Sequence, residues 1–214
     1  FIAVGGYYGT GTTILTSPDG VTWIKRSPGT STILKSVTYG NNQFIAVGWN
    51  KIFTSPDGAT WTERSSGFYR TLNSVTYGNN QFIAVGGSYS TDVDQSTILT
   101  SQDGVTWTER SSGIFNTLFS VTYGDSQFIA VGKKGIILTS PDGAMWTERH
   151  LGTCQGRTFY SVTYVNNQFI AVGTFGVILT SPDGVTWTQR SSGTPRHLKS
   201  VVYGNNQFIA VGEG

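Results

Sequence analysis

Apolar positions in this chain come in short runs of four or five residues, and each run recurs almost unchanged. Phe-Ile-Ala-Val-Gly begins at Phe1, Phe44, Phe82, Phe128, Phe169 and Phe208, with copies 38 to 46 residues apart. Ser-Val-Thr-Tyr or a near copy begins at Ser36, Ser74, Ser120, Ser161 and Ser200. Two further runs, of the types Ile-Leu-Thr-Ser and Val-Thr-Trp-Thr-Glu-Arg, complete each unit of about forty residues. Every run is rich in β-branched and aromatic residues and is bounded by Gly or Asn, which predicts strands. No segment keeps helical periodicity over three turns. A unit therefore reads as four strands, A (Ser-Val-Thr-Tyr), B (Phe-Ile-Ala-Val), C (Ile-Leu-Thr-Ser) and D (the Trp strand).

Four antiparallel strands per unit of this length is the arithmetic of a β-propeller blade. Blades cover one another on both faces. Strand B is accordingly apolar on both, with Phe44 and Ala46 opposed to Ile45 and Val47. Strand D ends polar, as Thr62-Glu63-Arg64, which suits an outer rim. The chain holds five A, six B, five C and five D strands. The expected fold is all-β, a five-bladed propeller forming one domain over residues 1–214. Its first blade is closed by strands from both termini: Ser200–Tyr203 pairs with a B strand of the N-terminal blade, and one of the two terminal Phe-Ile-Ala-Val-Gly strands is redundant. A start on Phe and not Met reads as a processed, excised or engineered piece.

Between strands C and D lies the most regular stretch. It reads Ser17-Pro18-Asp19-Gly20-Val21-Thr22-Trp23 and returns around Asp57, Asp103, Asp142 and Asp183. Pro presets its φ, Gly accepts a positive φ, and the Ser and Asp side chains accept hydrogen bonds from turn N–H groups. This turn resembles the Asp-box (BNR) motif of sialidases and related propellers, apart from Gly following Asp directly. The resemblance implies a structural hairpin, so Asp19, Asp57, Asp103, Asp142 and Asp183 are expected to be architectural.

The same resemblance raises hydrolysis, and the residues argue against it. Five of the twelve acids belong to the repeated turns. Glu63, Glu109 and Glu148 share one rim position, and no Arg-Ile-Pro segment of the sialidase kind occurs. Paired carboxylates across one cleft, as glycoside chemistry needs, are not evident. Asp92 and Asp94 open like a calcium loop but lack its Gly and closing Glu. His150 and His197 stand alone, and the single cysteine, Cys154, has no activating motif. A non-enzymatic protein without metal or cofactor is expected.

Composition adds little. The net charge of +2 does not imply nucleic acid, and no apolar run approaches the length of a membrane span. Variation among the units says more. The A–B and C–D turns repeat and share one face, because connections alternate ends of the strands. The B–C and D–A loops share the other face and differ in every unit, and blade-specific loops collected on one face are where a repeat protein binds. Candidate ligand residues are Trp49, Lys51, Tyr69, Arg70, Lys133, Lys134, Arg157, Phe175 and Arg196. With Lys35 and Lys199, the face gathers eight bases against Asp92 and Asp94. That balance favours an anionic glycan or an acidic protein surface as partner. Alternatives are a lectin-like propeller with an aromatic, polar pocket in each blade, and an engineered, reconstructed or excerpted propeller with no selected ligand. A monomer is expected over a strand-swapped oligomer.

Overall fold

The computed structural model describes residues 1–7, 11–29, 31–65, 67, 69–87, 95–150 and 156–213. Asp92, Asp94 and Cys154 lie outside the described residues. Among the described residues, twenty-one strands form six antiparallel sheets. The first sheet has three strands, β1 (Ile2–Tyr7), β2 (Gly11–Thr16) and β3 (Ile24–Arg26). Four complete blades follow, each in the order A-B-C-D. They are β4 (Leu34–Gly40), β5 (Gln43–Gly48), β6 (Ile52–Ser55) and β7 (Thr62–Arg64); β8 (Thr71–Gly78), β9 (Gln81–Gly87), β10 (Ser96–Ser101) and β11 (Thr108–Arg110); β12 (Leu118–Gly124), β13 (Gln127–Gly132), β14 (Ile137–Ser140) and β15 (Thr147–Glu148); and β16 (Phe159–Val165), β17 (Gln168–Gly173), β18 (Ile178–Ser181) and β19 (Thr188–Arg190). A two-stranded sheet, β20 (Leu198–Gly204) with β21 (Gln207–Gly212), ends the chain. Short 3-10 turns at Lys133–Gly135 and Thr174–Gly176 are the only helical pieces among the described residues.

Strand B explains how the blades cohere. Ile45 and Val47 of one blade cluster with Phe82, Ala84 and Leu99 of the next. On its other face that next blade sends Ile83, Val85 and Ile98 against Phe128, Ala130 and Leu138. The pattern repeats where Ile129, Val131 and Ile137 meet Phe169, Ala171 and Leu179. All four apolar residues of β9 are fully buried, because the period of two sends alternate residues to different neighbours. The A strands adjoin one another in sequence, β4 beside β8, β8 beside β12, β12 beside β16 and β16 beside β20. They are thus the innermost strands.

The termini differ from the expected closure. β20 pairs with β21 through Ser200↔Val211 and Tyr203↔Phe208, and β1 pairs only with β2. The chain offers near-identical B strands at its two ends, and the local one takes the place. A two-residue Asn205-Asn206 turn with positive φ at both positions joins β20 to β21, so little loop entropy is lost in forming that hairpin. Pairing β20 with β1 would instead bring together strands almost two hundred residues apart. The same sequence meets different surroundings along the chain. Phe208 is 42 % exposed, whereas Phe82, Phe128 and Phe169 are fully buried.

Candidate binding face

The face that carries the repeated turns is committed to holding the structure. In each C–D turn the Ser hydroxyl donates to the Asp carboxylate and accepts the Gly N–H, as Ser55 does with Asp57 (3.0 Å) and Gly58 (2.8 Å). Asp57 Oδ1 also accepts the Ala59 and Thr60 N–H groups, each at 2.8 Å. The Trp61 indole N–H donates to the Gly58 carbonyl, and Gly58 sits at φ 75°. These backbone N–H donors hold the carboxyls of Asp57, Asp103 and Asp183 down at about 2, and they lower those of Asp19 and Asp142 in the same direction. The A–B turn then latches onto the C–D turn of the next blade. Gln43 donates to the Asp103 carbonyl, Gln81 to that of Asp142 and Gln127 to that of Asp183, at 2.8 to 2.9 Å. Both turns repeat because neighbouring blades need them.

The opposite face is free of that duty, and its B–C loops carry an unusual backbone. Asn50, Lys134 and Phe175 hold the same place at the apex of three such loops, with φ of 49°, 58° and 54°. Asn enters this left-handed region readily, whereas Lys and a bulky Phe do so at a cost of about 1 kcal/mol or more. Lys134 and Phe175 therefore occupy positions where backbone preference would select Asn or Gly. Phe175 is 61 % exposed, so no core packing offsets the strain. Its ring meets the edge of His197 at 5.3 Å and lies under the Arg157 guanidinium at 5.2 Å. Its own N–H donates to His197 Nδ1 at 3.0 Å, which fixes that nitrogen as the unprotonated one.

The nine candidate ligand residues do not form one site. Arg157 and Phe175 meet as described, and Arg196 is exposed next to His197 in the chain. Lys133 and Lys134 share one 3-10 turn. Trp49, 47 % exposed, is held by backbone bonds: its N–H donates to Ile33 and its carbonyl accepts the Thr32 hydroxyl. Lys51 and Tyr69 line one cleft and Arg70 the next. The charge excess is smaller than eight bases against two acids. Four glutamates reach this side of the described blades: Lys51 pairs with Glu63, Arg70 with Glu109 (3.0 Å) and Lys199 with Glu213 (3.2 Å), and Glu148 stands at the same register as Glu63 and Glu109. Strand D and the last strand end beside the loops, so their acids belong to the same field.

Asn73, Phe119 and Tyr160 were not among the candidates. Strands β4, β8, β12, β16 and β20 each shift register at one residue, namely Lys35, Asn73, Phe119, Tyr160 and Lys199. A bulge re-aims the side chain it carries, and these five come from neighbouring innermost strands. Several neighbours among them are linked. Lys35 Nζ donates to Asn73 Oδ1 at 2.9 Å, and Asn73 Nδ2 to the Leu118 carbonyl at 2.8 Å. The Phe119 and Tyr160 rings lie 5.6 Å apart, and Lys199 Nζ stands 3.7 Å over the Tyr160 ring. Burial among these neighbours lowers the pKa of Lys35. A signal was present in the sequence: the residue before each Ser-Val-Thr-Tyr varies while the four after it hardly do.

This architecture is that of a β-propeller, with variable loops on one face and interlocked turns on the other. Solved structures share the fold. A structure described as YCF48 bound to D1 peptide superposes with a TM-score of 0.70 at 17 % identity, covering 94 % of this chain and 69 % of that one. YCF48 from Cyanidioschyzon merolae gives 0.62 at 18 % identity, over 84 % of this chain and 62 % of its own. YjhT gives 0.60 at 8 % identity, over 82 % and 70 %. The sequence matches no protein-family model and no curated protein.

Proposed function

We propose that the chain is a non-enzymatic binding module of the Asp-box type that docks an acidic protein surface on its variable face. The observation that carries this reading is the apex strain. Lys134 and Phe175 are kept at left-handed positions where Asn or Gly would be more stable, and strain of this kind is characteristic of recognition sites. The Arg157–Phe175 pair sets a cation over an aromatic ring, a combination suited to a carboxylate flanked by apolar groups, and Lys134 and Arg196 add cations elsewhere on the same face. The interlocked turns leave this face as the one on which side chains vary without loosening the blades. The YCF48 structure described with a D1 peptide supports the capacity of such a propeller to hold a peptide.

The test is retention on an immobilised glutamate-rich peptide at low ionic strength. Wild type should be retained and released by salt, and Lys133→Glu with Lys134→Glu should flow through with little change in melting temperature. Equal retention of the two proteins, or passage of both, refutes the reading. Retention on heparin but not on the peptide would move the partner to an anionic glycan.

A further inference from the structure

Two successive blades carry a cleft of the same construction on the outer side of the variable face. In the blade β4–β7, Asn50, Lys51, Glu63, Arg64 and Tyr69 surround a cleft of about 370 Å³. In the blade β8–β11, Ser96, Glu109, Arg110, Ser112 and Phe115, with Arg70 from the loop that leads into β8, surround one of about 470 Å³. The repeat aligns their parts. Tyr69 and Phe115 both stand two residues after the D–A loop glycine, Gly67 or Gly113. Glu63-Arg64 and Glu109-Arg110 both end strand D. Tyr69 is 94 % exposed and Phe115 72 %, so neither ring contributes much to the core.

The aromatic ring and the carboxylate are combined in two of the five units. The blade β16–β19 has Gln189 and Pro195 at the two positions, and the sheet β1–β3 has Lys25 and Ser31. The blade β12–β15 has Glu148 but Cys154 in place of the ring, so ring and carboxylate are combined in these two units alone. The carboxylates are also held in place: Lys51 pairs with Glu63 and Arg70 with Glu109. Arg64 Nε donates to Thr54 Oγ1 and Arg110 Nε to Thr100 Oγ1, each at 3.0 Å. Polar groups ordered in advance lower the entropy lost on binding.

We propose that these two clefts bind the ring of a neutral pyranose. The sugar's C–H face lies against Tyr69 or Phe115, and adjacent hydroxyls bridge the Glu and Arg side chains, donating to the carboxylate and accepting from the guanidinium. A sugar ring has one apolar face and a polar edge, which are the two chemistries each cleft presents. Each carboxylate already has a cationic partner, so an added cation would have to break an ion pair. Both volumes lie within the roughly 300–1,000 Å³ usual for small-molecule sites. The clefts do not include Lys133, Lys134 or Phe175, so the proposal is independent of acidic-partner docking.

The experiment is saturation-transfer NMR on the whole chain with the methyl glycosides of glucose, galactose, mannose and N-acetylglucosamine, followed by titration of any that respond. At least one should saturate, with transfer strongest at its ring C–H protons. Tyr69→Ala with Phe115→Ala should weaken it about tenfold or more. Glu63→Gln with Glu109→Gln, which preserves shape, should weaken it comparably and serves as the measure if the aromatic variant does not fold. Lys133→Glu with Lys134→Glu should leave it unchanged. The proposal is overturned if none of the four glycosides saturates in the millimolar range, if the Gln variant binds as wild type does, or if a folded aromatic variant does so.

Discussion

Replacing Lys134 by Asn tests whether the apex backbone is strained by its side chain. Lys134 sits at φ 58°, between Lys133 and Gly135, and makes no ion pair among the described residues. The substitution thus removes strain without removing a known stabilising contact. The left-handed region costs an ordinary L-residue about 1–2 kcal/mol, and Asn recovers a good part of that through local hydrogen bonding. A net gain of about 0.5–1 kcal/mol is expected, or roughly 1–4 °C in melting temperature for a chain of this size. Urea unfolding should show a higher midpoint at unchanged slope, since the surface exposed on unfolding is the same. Retention on the acidic peptide should fall in the same variant. Phe175→Asn is the internal comparison: the strain relieved is similar, but the ring loses His197 and Arg157, so its stability should hardly change. A lower midpoint for Lys134→Asn would refute the reasoning, because Lys134 would then be stabilising its loop.

Three further outcomes follow from the interlocked face and the blade contacts. Ser55→Ala leaves the buried Gly58 N–H without its acceptor and should cost about 1–3 kcal/mol in urea unfolding, with peptide retention unchanged; a loss below 0.5 kcal/mol would show that the Ser–Gly bond is not needed. Gly78→Ala would place a methyl 2.1 Å from the Tyr123 ring of the next blade, so the blades must part and stability should fall by about 1–3 kcal/mol, and a neutral result would mean that the blades shift freely. Acid should destabilise the protein through the turn aspartates. Their folded pKa values lie below the ordinary 3.8, so their contribution is present above about pH 4 and is lost as pH falls towards 2. The urea midpoint should drop across that window, less steeply in Asp103→Asn, and a midpoint independent of pH there would count against the turn hydrogen bonds.

How much of this was legible depends on whether a feature is written locally. The strands were legible because each is bounded by its own turn chemistry and because Phe-Ile-Ala-Val is apolar on both faces, which only a strand between two blades requires. The Asp turns were legible down to the hydrogen bonds, since Ser, Asp and Gly lie within four residues. Closure was not, because it turns on a competition between two almost identical strands that loop entropy decides. The charge of the variable face was misjudged for a related reason. Glu63 and Glu109 read as rim residues along the chain, while in space they face Lys51 from the B–C loop of the same blade and Arg70 from the loop entering β8. The bulged residues show the same limit: Lys35 and Lys199 counted as bases, but nothing local says that Asn73, Phe119 and Tyr160 stand between them on adjacent strands. In a repeat protein, then, what recurs reveals how the units hold one another. What departs from the repeat marks where they differ, and only the superposed units show which departures meet.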